Sequence, residues 1–292
     1  MDIKSYSTGS DFLAAAGNLL RTDEVRYGLI YSIARLIAVN PHHYGDEVPQ
    51  FYIVFDNTGI STLAWRTPPY LVGLAWHAGD THEAVSLLIE SIRRRWRVIP
   101  GVTGHREVAD LFAEKWSSDY ETPIKVVQSQ RIYRLDSVID IPEAPGLMRP
   151  ATLEDRELIL DWTRAFGIDT NQATDEEFDR AVGERLMLRR VENGEIYLWE
   201  DAGRPVSMAA KIRPTDHGMS VGLVYTPPGL RRKGYATTCV AGVCREILKS
   251  GCDFCTPYTD LSNPTSNSIY MKIGFRPVCN SAQYTFSNAS RV

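Results

Sequence analysis

The ten residues from Pro228 to Thr237, Pro-Gly-Leu-Arg-Arg-Lys-Gly-Tyr-Ala-Thr, constrain this chain more than any other stretch. They join a turn, three consecutive cations and an R-x-x-G-x-A pattern at a strand-to-helix junction. The apolar run Ser220–Tyr225 reads as the strand before the turn. Ala236, Val240, Val243, Ile247 and Leu248 read as the apolar face of the helix after it. Gly234 permits close backbone approach, and the free N–H groups and positive dipole end of a helix start attract anionic oxygens. Arg231, Arg232 and Lys233 add countercharge, so the segment reads as a cradle for a pyrophosphate or several phosphates. The nucleotide-binding pattern G-x-x-x-x-G-K-[ST] is absent from the chain.

Some thirty residues later comes a second pattern, N-x-x-[AS]-x-x-[LI]-Y-x-x-x-G-F, carried by Asn263, Ser266, Ile269, Tyr270, Gly274 and Phe275. In this order and spacing the two segments resemble the GNAT superfamily of acyl-CoA-dependent N-acyltransferases, and the resemblance covers residues 147–288. It implies an α/β (α+β) fold with a mixed, mostly antiparallel twisted sheet flanked by helices. It also implies that coenzyme A lies between splayed strands, with the first segment as its pyrophosphate loop.

Composition fits a soluble enzyme of two domains. The chain has 292 residues, 43% hydrophobic and 23% charged, enough for two packed cores. No apolar run reaches about 18 residues, and the start Met1-Asp2-Ile3-Lys4 lacks the order of a secretory signal, so a cytoplasmic protein is expected. A net charge of −4 argues against bulk binding to nucleic acid or anionic membrane. The five cysteines are an odd count, and Cys252-Asp253-Phe254-Cys255 lacks the second ligand pair that structural zinc needs. No metal is expected.

Prolines and acids from Asp136 to Gly146 read as a linker between residues 1–140 and residues 147–292. Before it, from Phe51, the expected order is strand 51–55, turn, strand 60–65, strand 70–75, helix 81–94, strand 98–102, helix 105–116, strand 124–135. After it a similar order runs through strands 196–200, 206–212 and 220–225, helix 233–248, strand 254–259, helix 265–272 and strand 283–286. The halves read as an internal repeat, giving two tandem GNAT-like domains. The first copy carries Trp76-His77-Ala78-Gly79-Asp80-Thr81 in place of the cradle and so reads as degenerate. Three roles are open to it: covering the acceptor cleft, mimicking a dimer partner, or stabilising the fold. The run Arg93-Arg94-Arg95-Trp96-Arg97 reads as cations at a helix C-terminus, meeting the dipole and facing solvent.

Within the second domain, Thr152 with Asp155 suits an N-cap. Helices 153–166 and 175–192 would lie over the acceptor site. Asp169, Asp175, Glu176, Glu177 and Asp179 suit either attraction of a cationic amine or ordinary dipole complementation.

The resemblance implies that Leu223, Val224 and Tyr225 hold the pantetheine arm and offer an oxyanion N–H. It implies that Arg231, Arg232, Lys233, Gly234, Tyr235, Ala236 and Thr237 bind the pyrophosphate and that Asn263 bonds the cofactor arm. Tyr270 stands at the general-acid position. As bare residues, Tyr270 also suits a core aromatic, and Asn263 a turn and helix cap. No acid lies in Ser220–Tyr225, which leaves Asp260 and Glu200 as candidates for the base, each also suited to a turn or cap.

The expected reaction is transfer of an acetyl or short acyl group from acetyl-CoA to a primary amine by direct attack. A non-catalytic acyl-CoA-binding protein is the alternative. The amine, small molecule or protein-borne, cannot be read from the sequence, and both monomer and homodimer are compatible with it.

Overall fold

The computed structural model describes residues 1–170 and 180–287 of the chain. These form two compact units, and the division does not follow the chain order expected for a boundary at residues 140–147. The first unit comprises Met1–Ile132 with Thr259–Asn263 and Pro277–Val292, and the second comprises Tyr133–Tyr258 with Pro264–Arg276.

In the first unit the strands β1 (Asp2–Tyr6), β2 (Gln50–Asp56), β3 (Gly59–Arg66) and β4 (Val72–Trp76) form an antiparallel meander, and β4 pairs in parallel with β5 (Gly101–His105). Alternation places Phe51, Ile53, Leu63 and Trp65 on one face and Tyr52, Val54, Ala64 and Val72 on the other. The first face is covered by α1 (Gly9–Thr22) and α2 (Gly28–Val39) through Phe12, Ala16, Leu20, Ile30 and Ala34. The second is covered by α3 (Thr81–Arg95) and α4 (Arg106–Tyr120). β1, α1 and α2 precede the first element read from the sequence.

The next strand against β5 comes from the far end of the chain: β13 (Arg276–Phe286) runs antiparallel to it, with Ser281 opposite His105 and Thr285 opposite Gly101. Its Phe286 stacks on Trp116 of α4 at 5.9 Å, and Trp116 stacks on Phe112 at 5.8 Å. β6 (Ile124–Arg134) and β12 (Tyr258–Asp260) complete an eight-stranded sheet in the order β1-β2-β3-β4-β5-β13-β6-β12. Phe112 is fully buried. Phe112→Ala is therefore expected to lower unfolding stability by about 3–5 kcal/mol, read from the midpoint of a urea titration.

The second unit holds a five-stranded sheet, β7 (Leu147–Pro150), β8 (Ile196–Asp201), β9 (Arg204–Pro214), β10 (Gly218–Tyr225) and β11 (Phe254–Thr256), adjacent in that order. All pairs are antiparallel except β10 with β11. On its outer side β11 pairs with the chain just beyond β6, where Leu135 and Cys255 exchange two backbone hydrogen bonds of 2.9 Å. The first unit thus takes β13 from the far end of the chain, a pairing that local propensity does not encode.

Helix α7 (Tyr235–Lys249), with α8 (Pro264–Ile273), buries Val240, Val243, Cys244, Ile247 and Ile273 against Val206, Ala209 and Val221. The helices α5 (Arg156–Asp169) and α6 (Arg180–Glu192) cover the opposite face, packing on Ile196, Leu198, Met208 and Ala210. Before α5, Thr152 and Asp155 form the expected capping box, and Arg149 grips Asp155 with two hydrogen bonds of 2.7 and 2.8 Å. The Arg149 guanidinium holds the Asp155 carboxyl below the usual carboxylate range.

The segment Asp136–Gly146, expected to be a linker, is packed onto the second unit. Ile141 is buried, Ala144 N–H donates to Thr238 Oγ1 at 3.0 Å, and Trp199 Nε1 donates to the Pro145 carbonyl at 2.9 Å. Its prolines interrupt periodicity because the chain is extended there.

Among the described residues no helix is long and apolar enough to cross a membrane. No group of three or more His, Cys, Asp or Glu among them is arranged to hold a metal ion.

Candidate functional site

The site is built where β10 leaves its neighbours. Parallel pairing with β11 covers only Gly218–Ser220, opposite Phe254–Thr256, and closes with a 3.0 Å contact between the Ser220 and Thr256 hydroxyls. Beyond that point, Val221–Tyr225 has no ladder partner on this side among the described residues. On the β9 side, Gly222 faces Ala210 but Tyr225 faces Met208, so β10 carries one extra residue. Leu223 absorbs it with φ +51°, a left-handed conformation that a leucine adopts only under constraint. The bulge turns the backbone of Leu223 and Val224 out of the ladder, leaving hydrogen-bonding groups along an open strand edge.

The cradle follows at once. Pro228–Leu230 makes one 3-10 turn, and Arg232 at φ +64° and Gly234 at φ +87° swing the chain into α7. No side chain caps this helix. Its first N–H groups, through Tyr235, Ala236 and Thr237, have no intrahelical acceptor and carry the positive end of the dipole. Arg232 and Lys233 are exposed beside it.

Two cradle residues are committed elsewhere. Arg231 donates through Nε to the Thr226 carbonyl at 2.9 Å and through Nη2 to Asp169 at the C-terminal end of α5, with its guanidinium 5.9 Å from the Tyr225 ring. Read from the sequence as countercharge for the phosphates, Arg231 is ion-paired to Asp169 in this structure. The Tyr235 hydroxyl donates to Asp201, leaving its backbone for the cradle. Asp175, Glu176, Glu177 and Asp179 lie outside the described residues.

Tyr270 lies on α8 within the apolar cluster that holds Val221 and Tyr235. Its ring meets Phe275 edge-on at 5.3 Å and Tyr133 at 6.4 Å, and it retains 4% of its surface. Among the described residues its hydroxyl has no hydrogen-bond partner. Burial pushes its phenol well above the usual tyrosine range, so the proton stays on.

Asp260 and Asn263 fall in Thr259–Asn263, the segment grouped with the first unit. Asp260 Oδ1 accepts from Ser262 N–H and Oγ at 2.8 and 2.7 Å, and Asn263 N–H donates to the Asp260 carbonyl at 3.1 Å. Both are turn-forming interactions. Glu200, the other candidate base, is held by Arg149 Nε at 2.9 Å.

The first unit, read from the sequence as a degenerate repeat without the cradle, also holds a short parallel strand pair, and its own side chains fill the edge of that pair. Parallel pairing of β4 with β5 again spans three residues, ending at Leu74 opposite Gly104. Next in β5 is His105, which is 3% exposed. Its Nδ1 accepts from Trp76 N–H at 3.2 Å, and its Nε2–H donates to the Arg26 carbonyl at 2.8 Å. The imidazole thus takes the strand-edge bonds that are left open in β10. At the start of α3 the Asp80 carboxylate accepts from the N–H groups of His82 and Glu83, placing a negative charge where the cradle of α7 is free.

Burial lowers the His105 pKa, so the folded chain binds fewer protons there than the unfolded chain. This contribution is fully present above the ordinary histidine value of about 6.5 and is lost as pH falls from there toward the folded value. Thermal stability is expected to drop below about pH 6.5, with a shallower drop in His105→Gln, read by calorimetry across pH 4.5–8.

Comparison with known proteins agrees with this architecture. Residues 201–284, from the end of β8 into β13, match the model of a family described as FR47-like protein. No curated protein matches the chain.

Among solved structures, a Drosophila protein from a structural genomics consortium superposes with TM-score 0.67 at 14% identity, over 97% of this chain and 98% of that one. A GCN5-related N-acetyltransferase from Sphaerobacter thermophilus gives 0.60 at 14%, over 97% and 95%. An acetyltransferase of the GNAT family from Colwellia psychrerythraea gives 0.55 at 12%, over 98% and 99%. The chain shares the fold of these structures over nearly its whole length, and the FR47-like match covers residues 201–284.

Proposed function

We propose that the chain is an N-acyltransferase that moves an acetyl or short acyl group from acetyl-CoA to a primary amine, with one acyl-CoA site, in the second unit. The observation that carries this reading is the pairing of a bulged, unpartnered strand edge at Leu223–Tyr225 with an uncapped helix start at Gly234–Thr237. A pantetheine arm carries amides that can continue a sheet edge, and a pyrophosphate matches free N–H groups on a helix dipole. The first unit has the same frame but fills it with His105 and Asp80, which supports a stoichiometry of one.

Acetyl-CoA, when bound, supplies the activated thioester. The chain's own residues then divide the work. Backbone N–H groups of Arg232–Thr237 hold the pyrophosphate, with Arg232 and Lys233 as mobile countercharge. The backbone from Leu223 to Tyr225 aligns the arm and aims an N–H at the carbonyl oxygen, whose charge grows as the amine attacks. Tyr270 donates a hydrogen bond from its phenol to the departing sulfur and keeps its proton. No side chain is assigned as base. The acceptor amine reacts in its neutral form, and the proton it loses on attack leaves to solvent.

The test is calorimetric titration of the intact chain with acetyl-CoA, followed by thiol release over a panel of primary amines. Micromolar binding at one site per chain, with release that depends on one amine class, is expected. Failure to bind would reject the reading.

A further inference from the structure

The basic run at the end of α3 finds a use in the first unit that the acyltransferase reading does not absorb. Arg66, the last residue of β3, is only 7% exposed, yet no carboxylate of the described residues lies within ion-pair distance of it. Its contacts are a long 3.4 Å hydrogen bond from Nε to the Tyr70 carbonyl and the face of Trp96, 4.4 Å from the guanidinium carbon. Its Nη1 is buried and has no partner. Arg95 lies over the same indole at 5.3 Å, so two like charges share one ring.

A second buried group converges on them. The register puts Gln50 opposite Arg66 and Tyr52 opposite Ala64, so Tyr52 and Arg66 are diagonal neighbours on the α3 face of the sheet. Tyr52 is 4% exposed, and its hydroxyl has no hydrogen-bond partner among the described residues. The charges of Arg95 and Arg66 both reach its phenol. The carboxylate whose field reaches Arg66 is Glu47, in the exposed loop before β2.

A guanidinium taken out of water without a counterion is strongly unfavourable. A small oxyanion can serve both groups at once, because a carboxylate or phosphate accepts two parallel N–H bonds from arginine and has lone pairs left for a hydroxyl. We propose that Tyr52, Arg66 and Arg95, backed by Trp96, form a binding site for a small oxyanion, a carboxylate or a phosphate, independent of the acyl-CoA site.

The experiment is thermal unfolding of the full chain in inorganic phosphate, acetate or chloride at equal ionic strength. Gly234→Asp is present throughout, so that the cradle does not contribute. Phosphate or acetate, at ten- to hundredfold its dissociation constant, is expected to raise Tm by about 2–4 °C over chloride. The larger shift tells which oxyanion the site prefers. The shift should vanish in Arg66→Met and shrink in Tyr52→Phe. Arg66→Met removes a buried unpaired charge, so it should fold at least as well in chloride. If it does not fold, Arg95→Met and Tyr52→Phe serve in its place. No shift with either anion, or a shift that persists undiminished in Arg66→Met and Tyr52→Phe, would overturn the site.

Discussion

Gly234→Asp is expected to weaken acetyl-CoA binding at least 100-fold while leaving the chain folded. Gly234 enters α7 at φ +87°, and a Cβ there would lie in ordinary contact, 3.5 Å from Ala144 Cβ. Space is thus available, and the substitution acts through backbone strain and charge. Holding a non-glycine residue in this conformation costs about 1–2 kcal/mol. The carboxylate adds the larger effect. It stands at an uncapped helix start and faces a pyrophosphate, and two unit charges about 4 Å apart interact by about 4 kcal/mol near a protein surface. At 1.4 kcal/mol per tenfold, even three quarters of that repulsion removes two orders of magnitude in affinity. Gly234→Ala separates the two effects, since it carries the strain without the charge, and a loss of about tenfold is expected of it. Calorimetric titration of the three proteins with acetyl-CoA checks the ranking. An Asp variant that binds within a few-fold of the intact chain would show that the phosphates lie elsewhere.

Asp80 at the start of α3 is a natural counterpart of that variant. A carboxylate already occupies the helix start of the first unit, where the sequence has no cation trio. Much of the α/β order was legible for the same local reasons, such as the alternation in Gln50–Asp56 and the apolar spacing in α7. The helix spacing of Phe12, Ala16 and Leu20 also lies in the sequence, with Thr8 as cap, although the element order begun at Phe51 does not contain it.

Other features were beyond local reading. β5 was expected at residues 98–102 and lies at Gly101–His105, because its glycines, poor in β propensity, are there for close approach. A Cβ on Gly104 would fall 2.0 Å from the Leu74 carbonyl oxygen. The bulge at Leu223 answers to pairing on two edges and has no marker in an ordinary Gly-Leu-Val run. The pairing of β13 with β5 is a choice between partners that local pattern leaves equivalent. Arg231 reads as a phosphate ligand in its own segment, and its ion pair with Asp169, 62 residues away, leaves no mark there.

Tyr270→Phe is expected to lower kcat by about 10- to 100-fold and to leave the acetyl-CoA dissociation constant unchanged. The change removes one oxygen and keeps the ring, so the contacts with Phe275 and Tyr133 survive. Among the described residues the lost hydroxyl has no hydrogen-bond partner, and stability should hold or rise slightly. Its catalytic value lies in the charge that develops on sulfur. A hydrogen bond to an ionised group contributes about 1.5–3 kcal/mol, which sets the expected loss at 1.36 kcal/mol per tenfold in rate.

The raised phenol pKa determines the form of that help. A thiol titrates near 8.5, well below a phenol buried as Tyr270 is, so full proton transfer to the thiolate runs uphill. Tyr270 therefore acts as a fixed donor that holds the leaving sulfur. It remains protonated across the working range and should contribute no limb to the pH profile of kcat. The acid limb should instead move with the pKa of the amine supplied. Measuring kcat against pH for the intact chain and for Tyr270→Phe, with two amines of different pKa, separates these effects. Parallel profiles displaced by one to two orders of magnitude support the donor role, whereas equal rates would leave Tyr270 as a core aromatic alone.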